Sequence, residues 1–366
     1  MEKILLTIAI ATYNRRSALK KQLNNIHSQL IKTEVAQYVE VLVSDNHSTD
    51  STQIIVKDFI EMDRQYELAY CKNKENIGAG LNYVSAIVKS SGLFVWLMSD
   101  DDEILEGSIQ YLYDILQLNQ SIGFGFINFF FNNQNSSKTG IVPKNGFFIS
   151  SDIDLLIPPL IASGMISSCV YRKSLLSERI LIEKAKKLPG YPHLFWAKNL
   201  VQRAETLVIT KPLFIAIEPD VYERRKEVKF SEKDTVDYYI KATVDYYIKA
   251  HITFIKFISE LIKSNVSFRT RLKLYRYINN ENLNQIIYHK ITSEKYDFST
   301  IKYALPTMVK RFYFSPVFWL VHVPILIFPA FFAKHFEPYR WKYIKLRGSI
   351  GVFVRKFIIG TRMTSR

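Results

Sequence analysis

A chain of 366 residues and 42.7 kDa exceeds the usual size of one compact domain, and 48% hydrophobic with 23% charged residues excludes general disorder. The 12 prolines and 13 glycines exclude collagen-like and low-complexity classes, while the two cysteines, Cys71 and Cys169, exclude a disulfide scaffold and suit a reducing compartment. A net charge of +15 asks for an acidic partner: nucleic acid, anionic lipid or a phosphorylated substrate.

The first 130 residues alternate between strand and helix patterns. Lys3 leads into Ile4–Ala11, an apolar run long enough for one buried parallel strand and too short for an export signal. Arg15–Leu30 carries Leu19, Leu23, Ile26 and Leu30 at helical spacing. Strand Val39–Val43, helix Ser51–Met62, strand Glu67–Cys71, helix Gly80–Lys89 and strand Leu93–Met98 follow, and then a helix near Ile104–Leu118. This alternation predicts a mostly parallel sheet flanked by helices, with ligands at the carboxyl ends of its strands.

Further on the pattern loosens. Phe124–Phe131 and Ile166–Tyr171 read as strands, Leu175–Lys187 and His193–Arg203 as helices, and residues 132–146 as an exposed loop. Residues 231–265 lack Gly and Pro, and Val236, Ile240, Val244, Ile248, His251, Ile255 and Ile258 mark one helical stripe. The octapeptide TVDYYIKA stands twice in it, at Thr235–Ala242 and Thr243–Ala250. Eight residues advance a helix by about 80° beyond whole turns, so the copies face different sides and read as a tolerated local duplication.

Residues 312–333 contain no Lys, Arg, Asp or Glu but hold Pro316, Pro324 and Pro329, which argue against an uninterrupted spanning helix. Residues 334–366 then carry nine Lys/Arg against the single acid Glu337, interleaved with aromatics. An apolar segment beside a basic, aromatic one predicts a C-terminal membrane-associating region on an anionic surface, the alternative being a buried hairpin with a solvated tail. The expected organisation is a nucleotide-binding domain over 1–225, a helical domain over 226–310 and the membrane-associating segment over 311–366.

Four polar motifs stand at predicted strand ends: Thr12-Tyr13-Asn14-Arg15; Ser44-Asp45-Asn46-His47-Ser48-Thr49-Asp50, with Asp50 or Ser51 as helix cap; Asn76-Ile77-Gly78; and Ser99-Asp100-Asp101-Asp102-Glu103. Consecutive carboxylates after a buried strand repel one another, a cost offset when a hard divalent cation joins them to diphosphate oxygens. Helix capping is the plainer reading of the acids, and loop or turn chemistry that of Asp45 and of Asn76-Ile77-Gly78.

Together, and in this order, the motifs resemble the inverting family-two glycosyltransferases of GT-A fold. Residues 4–118 carry the likeness, which continues weakly to about 220 and is nearest the O-antigen and capsule type, abequosyltransferase-like members included. The second motif departs from the family's D-D-G-S-T-D pattern at Asn46 and His47. The resemblance implies nucleotide-sugar binding by Thr12, Asn14, Arg15, Asp45, Asn76, Gly78, Asp100 and Asp101. It implies a Mn²⁺ or Mg²⁺ ion held by Asp100 and Asp102 against the donor diphosphate. A general base is also required. Where the family often has Glu-Asp this chain has Gly190-Tyr191-Pro192-His193, which leaves His193, as base or as a capping or acceptor-contacting residue, with Asp152 and Asp154 as alternatives. Gly164–Ser168 corresponds to a stretch lining the acceptor pocket, or is an ordinary loop before a strand.

The function so implied is transfer of a monosaccharide from a nucleotide-sugar to a lipid-linked (polyprenyl diphosphate) oligosaccharide in surface-polysaccharide synthesis. The enzyme would sit peripherally or monotopically on the cytoplasmic face of the inner membrane, with no nucleic-acid partner. A nucleotidyltransferase also uses paired acids and metal, but would need glycines that Thr12–Ser17 lacks. A non-catalytic membrane- or nucleic-acid-binding protein would use the basic tail but not the acids.

Overall fold

Strand β1, Leu6–Thr12, is apolar on both faces because it is paired on both edges and covered on both sides, with all but one residue buried. In the computed structural model it lies parallel to β2 (Val39–Asp45) and β4 (Phe94–Ser99), and β2 lies parallel to β3 (Glu67–Lys72). The structure describes residues 4–62, 64–131, 146–188, 190–217 and 249–277, with 305, 306, 308, 309 and 323. The expected membrane-associating segment at 311–366 (apart from residue 323), the loop at 132–145 and the helical stripe before 249 lie outside those residues, as do the expected domain boundaries near 225 and 310.

Helices α1 (Arg16–Leu30), α2 (Thr52–Ile60) and α3 (Ala79–Lys89) connect the parallel strands. Leu19, Leu23, Ile26 and Leu30 form the buried stripe of α1, as their spacing predicts. The edge of α1 is also hydrogen-bonded: the amides of Asn25 and Gln29 donate to the Ile104 carbonyl at 3.0 and 3.1 Å. That bond fixes the short strand β5, Glu103–Ile104, which immediately follows the acidic turn, and α4 begins only at Ser108 and runs to Leu118. Gly92 is required at the start of β4, since a Cβ there would lie 2.7 Å from both the backbone nitrogen and the hydroxyl of Thr7.

The second half of the sheet corrects the mostly parallel expectation. Strands β6 (Phe124–Phe131), β7 (Phe147–Ser150), β8 (Cys169–Arg172) and β9 (Thr206–Ala216) complete the order β3-β2-β1-β4-β8-β6-β9-β5, with β7 also on β9. Among the described residues four strand pairs are parallel and four antiparallel. The sheet is mixed because β8 inserts antiparallel between β4 and β6. Pro212, which has no N–H to donate, sits where the β6–β9 register shifts, and the Asn128 amide fills the gap by donating to the Thr210 carbonyl at 2.7 Å.

Helix α5, Ile153–Ala162, contains Pro158 and Pro159; α6 is Glu178–Lys187 and α7 is Pro192–Val201, with Pro192 at its first position. The chain divides into two units, residues 1–231 with 257–275, and residues 232–256 with 276–366. In the first, the helical residues 257–262 pack on α7 through Phe257 against Phe195 and a Lys198–Glu260 ion pair of 2.8 Å. Helix α8 is Phe268–Tyr277. In the second, residues 249–256 are helical. No described helix is long and apolar enough to cross a membrane.

Candidate functional site

Strand register assembles the site. Thr12 is paired with Asp45, Asp45 with Lys72 and Ala11 with Ser99, so three of the four sequence motifs emerge at one carboxyl edge of the parallel strands. The Thr12 hydroxyl donates to Asp100 Oδ2 at 2.7 Å. The Arg15 guanidinium spans two acids, 2.6 Å from Asp100 Oδ1 and 2.5 Å from Asp101 Oδ2, and the Ser99 hydroxyl donates to Asp101 Oδ1. Arg15 reaches them because Asn14 takes a left-handed turn (φ 51°) that ends β1, held by the Ser48 hydroxyl accepting from Asn14 N and by Asn14 Oδ1 accepting from Thr49 N.

Asp102 is turned the other way. Its Oδ2 accepts from the Ser167 hydroxyl at 2.5 Å and its Oδ1 from the Ile217 N–H at 3.0 Å. Burial pushes its carboxyl up to about 7, the Ser167 hydroxyl opposing, the Asp101 charge adding, the Ile217 N–H opposing and the Asp100 charge adding again. Ser167 also accepts from Ser99 N at 2.9 Å, and its carbonyl accepts from the Trp96 indole at 2.7 Å.

Beside the acids, Asp45 is fully buried, Oδ1 accepting from Ser48 N (2.7 Å) and Oδ2 from the Tyr70 hydroxyl (2.6 Å). Burial, then the Asp45 carboxylate, keeps the Tyr70 phenol above its ordinary range, so it remains a donor. Asn46 joins the third motif: its amide donates to Asn76 Oδ1 at 2.7 Å and its oxygen accepts from Ile77 N at 3.0 Å. Gly78 precedes α3 at φ +82°, a conformation that glycine takes without strain, and Asn76 Oδ1 accepts from its N–H. Asn82, in the first turn of α3, ties both motifs to β2 by donating to the Ser44 carbonyl at 2.9 Å and accepting from the Ser44 hydroxyl at 2.8 Å. Asp50 supplies the side-chain cap of α2, accepting from Thr52 N, while Ser51 takes the N-cap position. A cleft of about 550 Å³ adjoins this turn, with His47, Lys57 and Lys72 among its lining residues.

Three motifs at one sheet edge, with the Asn76-Ile77-Gly78 turn tied to them through Asn46, find their counterpart in the family comparison: residues 7–180 match the model of glycosyl transferase family 2. Over residues 7–180 the chain is thus similar to a family 2 glycosyl transferase domain. Abequosyltransferase RfbV of Salmonella typhimurium is 28% identical over 113 residues, 31% of this chain and 33% of that protein. The GalNAc(5)-diNAcBac-PP-undecaprenol beta-1,3-glucosyltransferase of Campylobacter jejuni is 30% identical over 107 residues, 29% of this chain and 33% of that protein. The match therefore spans about a third of these relatives. Among solved structures, residues 1–349 of S. aureus TarS in complex with UDP-GlcNAc share the fold, at a TM-score of 0.50 and 16% identity, covering 82% of this chain and 81% of that one.

Asp100, Asp101 and Asp102 place consecutive carboxylates at this sheet edge, hard oxygen donors of the kind a divalent cation takes. Among the described residues no group of three or more His, Cys, Asp or Glu is spaced to hold a metal by itself.

The three candidate bases lie apart from this network in their bonding. His193, at the start of α7, is 2% exposed; its Nε2 is 3.3 Å from the Gly164 carbonyl, and Tyr83 and Tyr191 contact its ring. Burial lowers its pKa to about 4 against the pull of the Gly164 and Ser163 carbonyls. Asp152 is the N-cap of α5, accepting from Asp154 N at 2.9 Å, and Asp154 accepts from Ser267 N. Ser167, Tyr70 and the Ile217 N–H were not foreseen as partners of the acids. A serine pair ahead of a strand was the available signal for the first, and a backbone donor leaves none.

Proposed function

We propose that the chain is an inverting glycosyltransferase that moves a monosaccharide from a nucleotide-sugar to a lipid-linked oligosaccharide in surface-polysaccharide synthesis. The observation that carries this reading is the Thr12–Asp100–Arg15–Asp101 cluster beside the anchored Asp45, at the carboxyl edge of parallel strands. In it, Asp45 and Thr12 meet the nucleoside. Asn14 and Asn76 with Gly78 hold the two turns that frame it. Arg15 and Asp101 stand at the diphosphate. Asp100 and Asp102 would hold Mn²⁺ or Mg²⁺, as GT-A glycosyltransferases generally use a divalent metal. When bound, that cation neutralises charge growing on the departing diphosphate.

The chain's own residues set the geometry of transfer. Arg15 supplies a fixed positive charge beside the leaving group, worth most in a water-poor site. Ser167 positions Asp102 from the 163–168 segment, which faces the acceptor in this reading. An imidazole this enclosed acts by holding Gly164, so His193 is a positioning residue here. The relatives' names support a sugar acceptor on a lipid diphosphate, since one of them names a PP-undecaprenol substrate. The basic residues of 334–366 suit the same anionic surface, on the cytoplasmic face of the inner membrane.

The test is hydrolysis of a nucleotide-sugar panel by the full chain with and without Mn²⁺ or Mg²⁺. Release of nucleoside diphosphate that depends on the cation, and its acceleration by a polyprenyl-diphosphate acceptor, is the expected result. Release of inorganic diphosphate would instead indicate nucleotidyl transfer.

A further inference from the structure

Helix α8 reads FRTRLKLYRY and contains no acid. It is firmly seated at its start. Asp154 accepts from Ser267 N at 3.1 and 3.2 Å through its two oxygens, and the Ser267 hydroxyl accepts from Thr270 N at 3.2 Å as an N-cap. Leu274 turns inward and is buried. Phe268 and Leu272, four residues apart and so neighbours on one face, are 74% and 42% exposed. Leu155, next to the Asp154 that makes the joint, is 56% exposed. Arg269, Arg271 and Lys273 are exposed as well.

Scattered exposed apolar residues are ordinary. Here three large ones surround one fixed joint, beside three cations and on a helix without a negative charge. We propose that α8, with Leu155, docks on an anionic lipid surface. The apolar side chains enter the acyl boundary while Arg269, Arg271 and Lys273 reach the phosphate headgroups, the arrangement of a helix lying in the membrane plane. A lipid surface suits the patch better than nucleic acid, since two of its three apolar groups are aliphatic and offer bases no stacking partner. The surface is distinct from residues 312–366 and stands whether or not the donor reading holds.

The test uses the full chain with Cys71→Ser and a polarity-sensitive fluorophore on Phe268→Cys; Cys169 is buried and unreactive to it. A matching probe on Leu118→Cys, 82% exposed on α4, is the control. With phosphatidylglycerol-containing vesicles the probe at 268 should shift to the blue and be quenched by brominated acyl chains, while the probe at 118 stays aqueous. Replacing Arg269, Arg271 and Lys273 by Gln should weaken the response about fivefold per cation removed. Flotation of the protein with an unshifted probe at 268 would overturn the proposal. So would a shift that follows protein concentration without vesicles, which marks self-association, or one produced by RNA and not by lipid.

Discussion

The two halves of the sheet serve the acidic turn differently. From the β3-β2-β1-β4 side come the Arg15 guanidinium on Asp100 and Asp101 and the Thr12 hydroxyl on Asp100, with Tyr70 on Asp45 and Asn46 on Asn76 beside the turn. From the other side, among the described residues, come a serine hydroxyl, out of the turn before β8, and the N–H that follows β9, both on Asp102. The first half balances charge, whereas the second orients a carboxylate without neutralising it. Burial lifts that carboxyl to about 7, and its two donors only oppose the rise. The lesson is that the turn is compensated on its Arg15 side and kept electrostatically hungry on the other.

Removing the hungry charge is the most drastic way to break this contrast. Asp102→Asn keeps an oxygen for the Ile217 N–H and a polar atom for Ser167, so the fold survives. In the glycosyltransferase reading, transfer should fall by more than roughly 10³-fold. Turnover near wild type at saturating cation would end the claim that Asp102 serves the metal.

Breaking the compensated side comes next. Arg15→Gln leaves Asp100 and Asp101 to the neutral donors Thr12 and Ser99. Arg15 is partly exposed, so its loss should cost roughly 1–3 kcal/mol, less than a fully buried pair. The melting temperature should drop, and added Mn²⁺ should recover more of it than in wild type. Equal cation responses would show that Arg15 does not balance the turn.

A subtler contrast lies in pH. Asp102 is raised from 3.8 to about 7, so the folded state binds the extra proton between those values and this group's contribution to stability falls as pH rises through them. His193 is lowered from 6.5 to about 4, so the unfolded state binds the extra proton and stability is lost as pH falls through 6.5 toward 4. Between about pH 4 and 6.5 the slopes oppose. Asp102→Asn should therefore expose the loss toward low pH, and His193→Gln should gain stability relative to wild type as pH falls to 5. Urea titrations at stepped pH check both. His193→Gln should also retain most activity if the imidazole positions Gly164, whereas a general base would lose roughly 10²–10⁴-fold.

The smallest effect belongs to Tyr70→Phe. One hydrogen bond of about 1 kcal/mol leaves Asp45, which keeps Ser48 N, so donor affinity should fall about fivefold with turnover unchanged. Calorimetric titration with donor nucleotide measures it.

The parallel half was readable because its strands are short, mostly apolar runs closed by polar residues, a purely local signal. Thr12, Asp45 and Asp100 could be placed at one edge from that pattern alone. The later half hid its elements for physical reasons. Pro158 and Pro159 conceal α5, Lys211-Pro212 interrupts the reading of β9, and β7 is defined only by a partner about sixty residues away. The antiparallel insertion of β8 has no periodic signature, which is how the sheet was expected to be more parallel than it is. Tyr70 looked like strand filling, since nothing local says that its hydroxyl meets Asp45.

The two donors on Asp102 differ in a way that decides where a proton can reside. An amide N–H only gives, so the Ile217 contact asks Oδ1 to stay an acceptor. When the acid proton sits on Oδ2, the Ser167 hydroxyl, which can give or accept, reverses its role. Ser167 already accepts from Ser99 N, so the reversal fills its second lone pair and sends its own proton to a new acceptor. Protonation on Oδ2 is thereby written into the orientation of a hydroxyl on the neighbouring turn, one hydrogen bond from the strand that carries the acids.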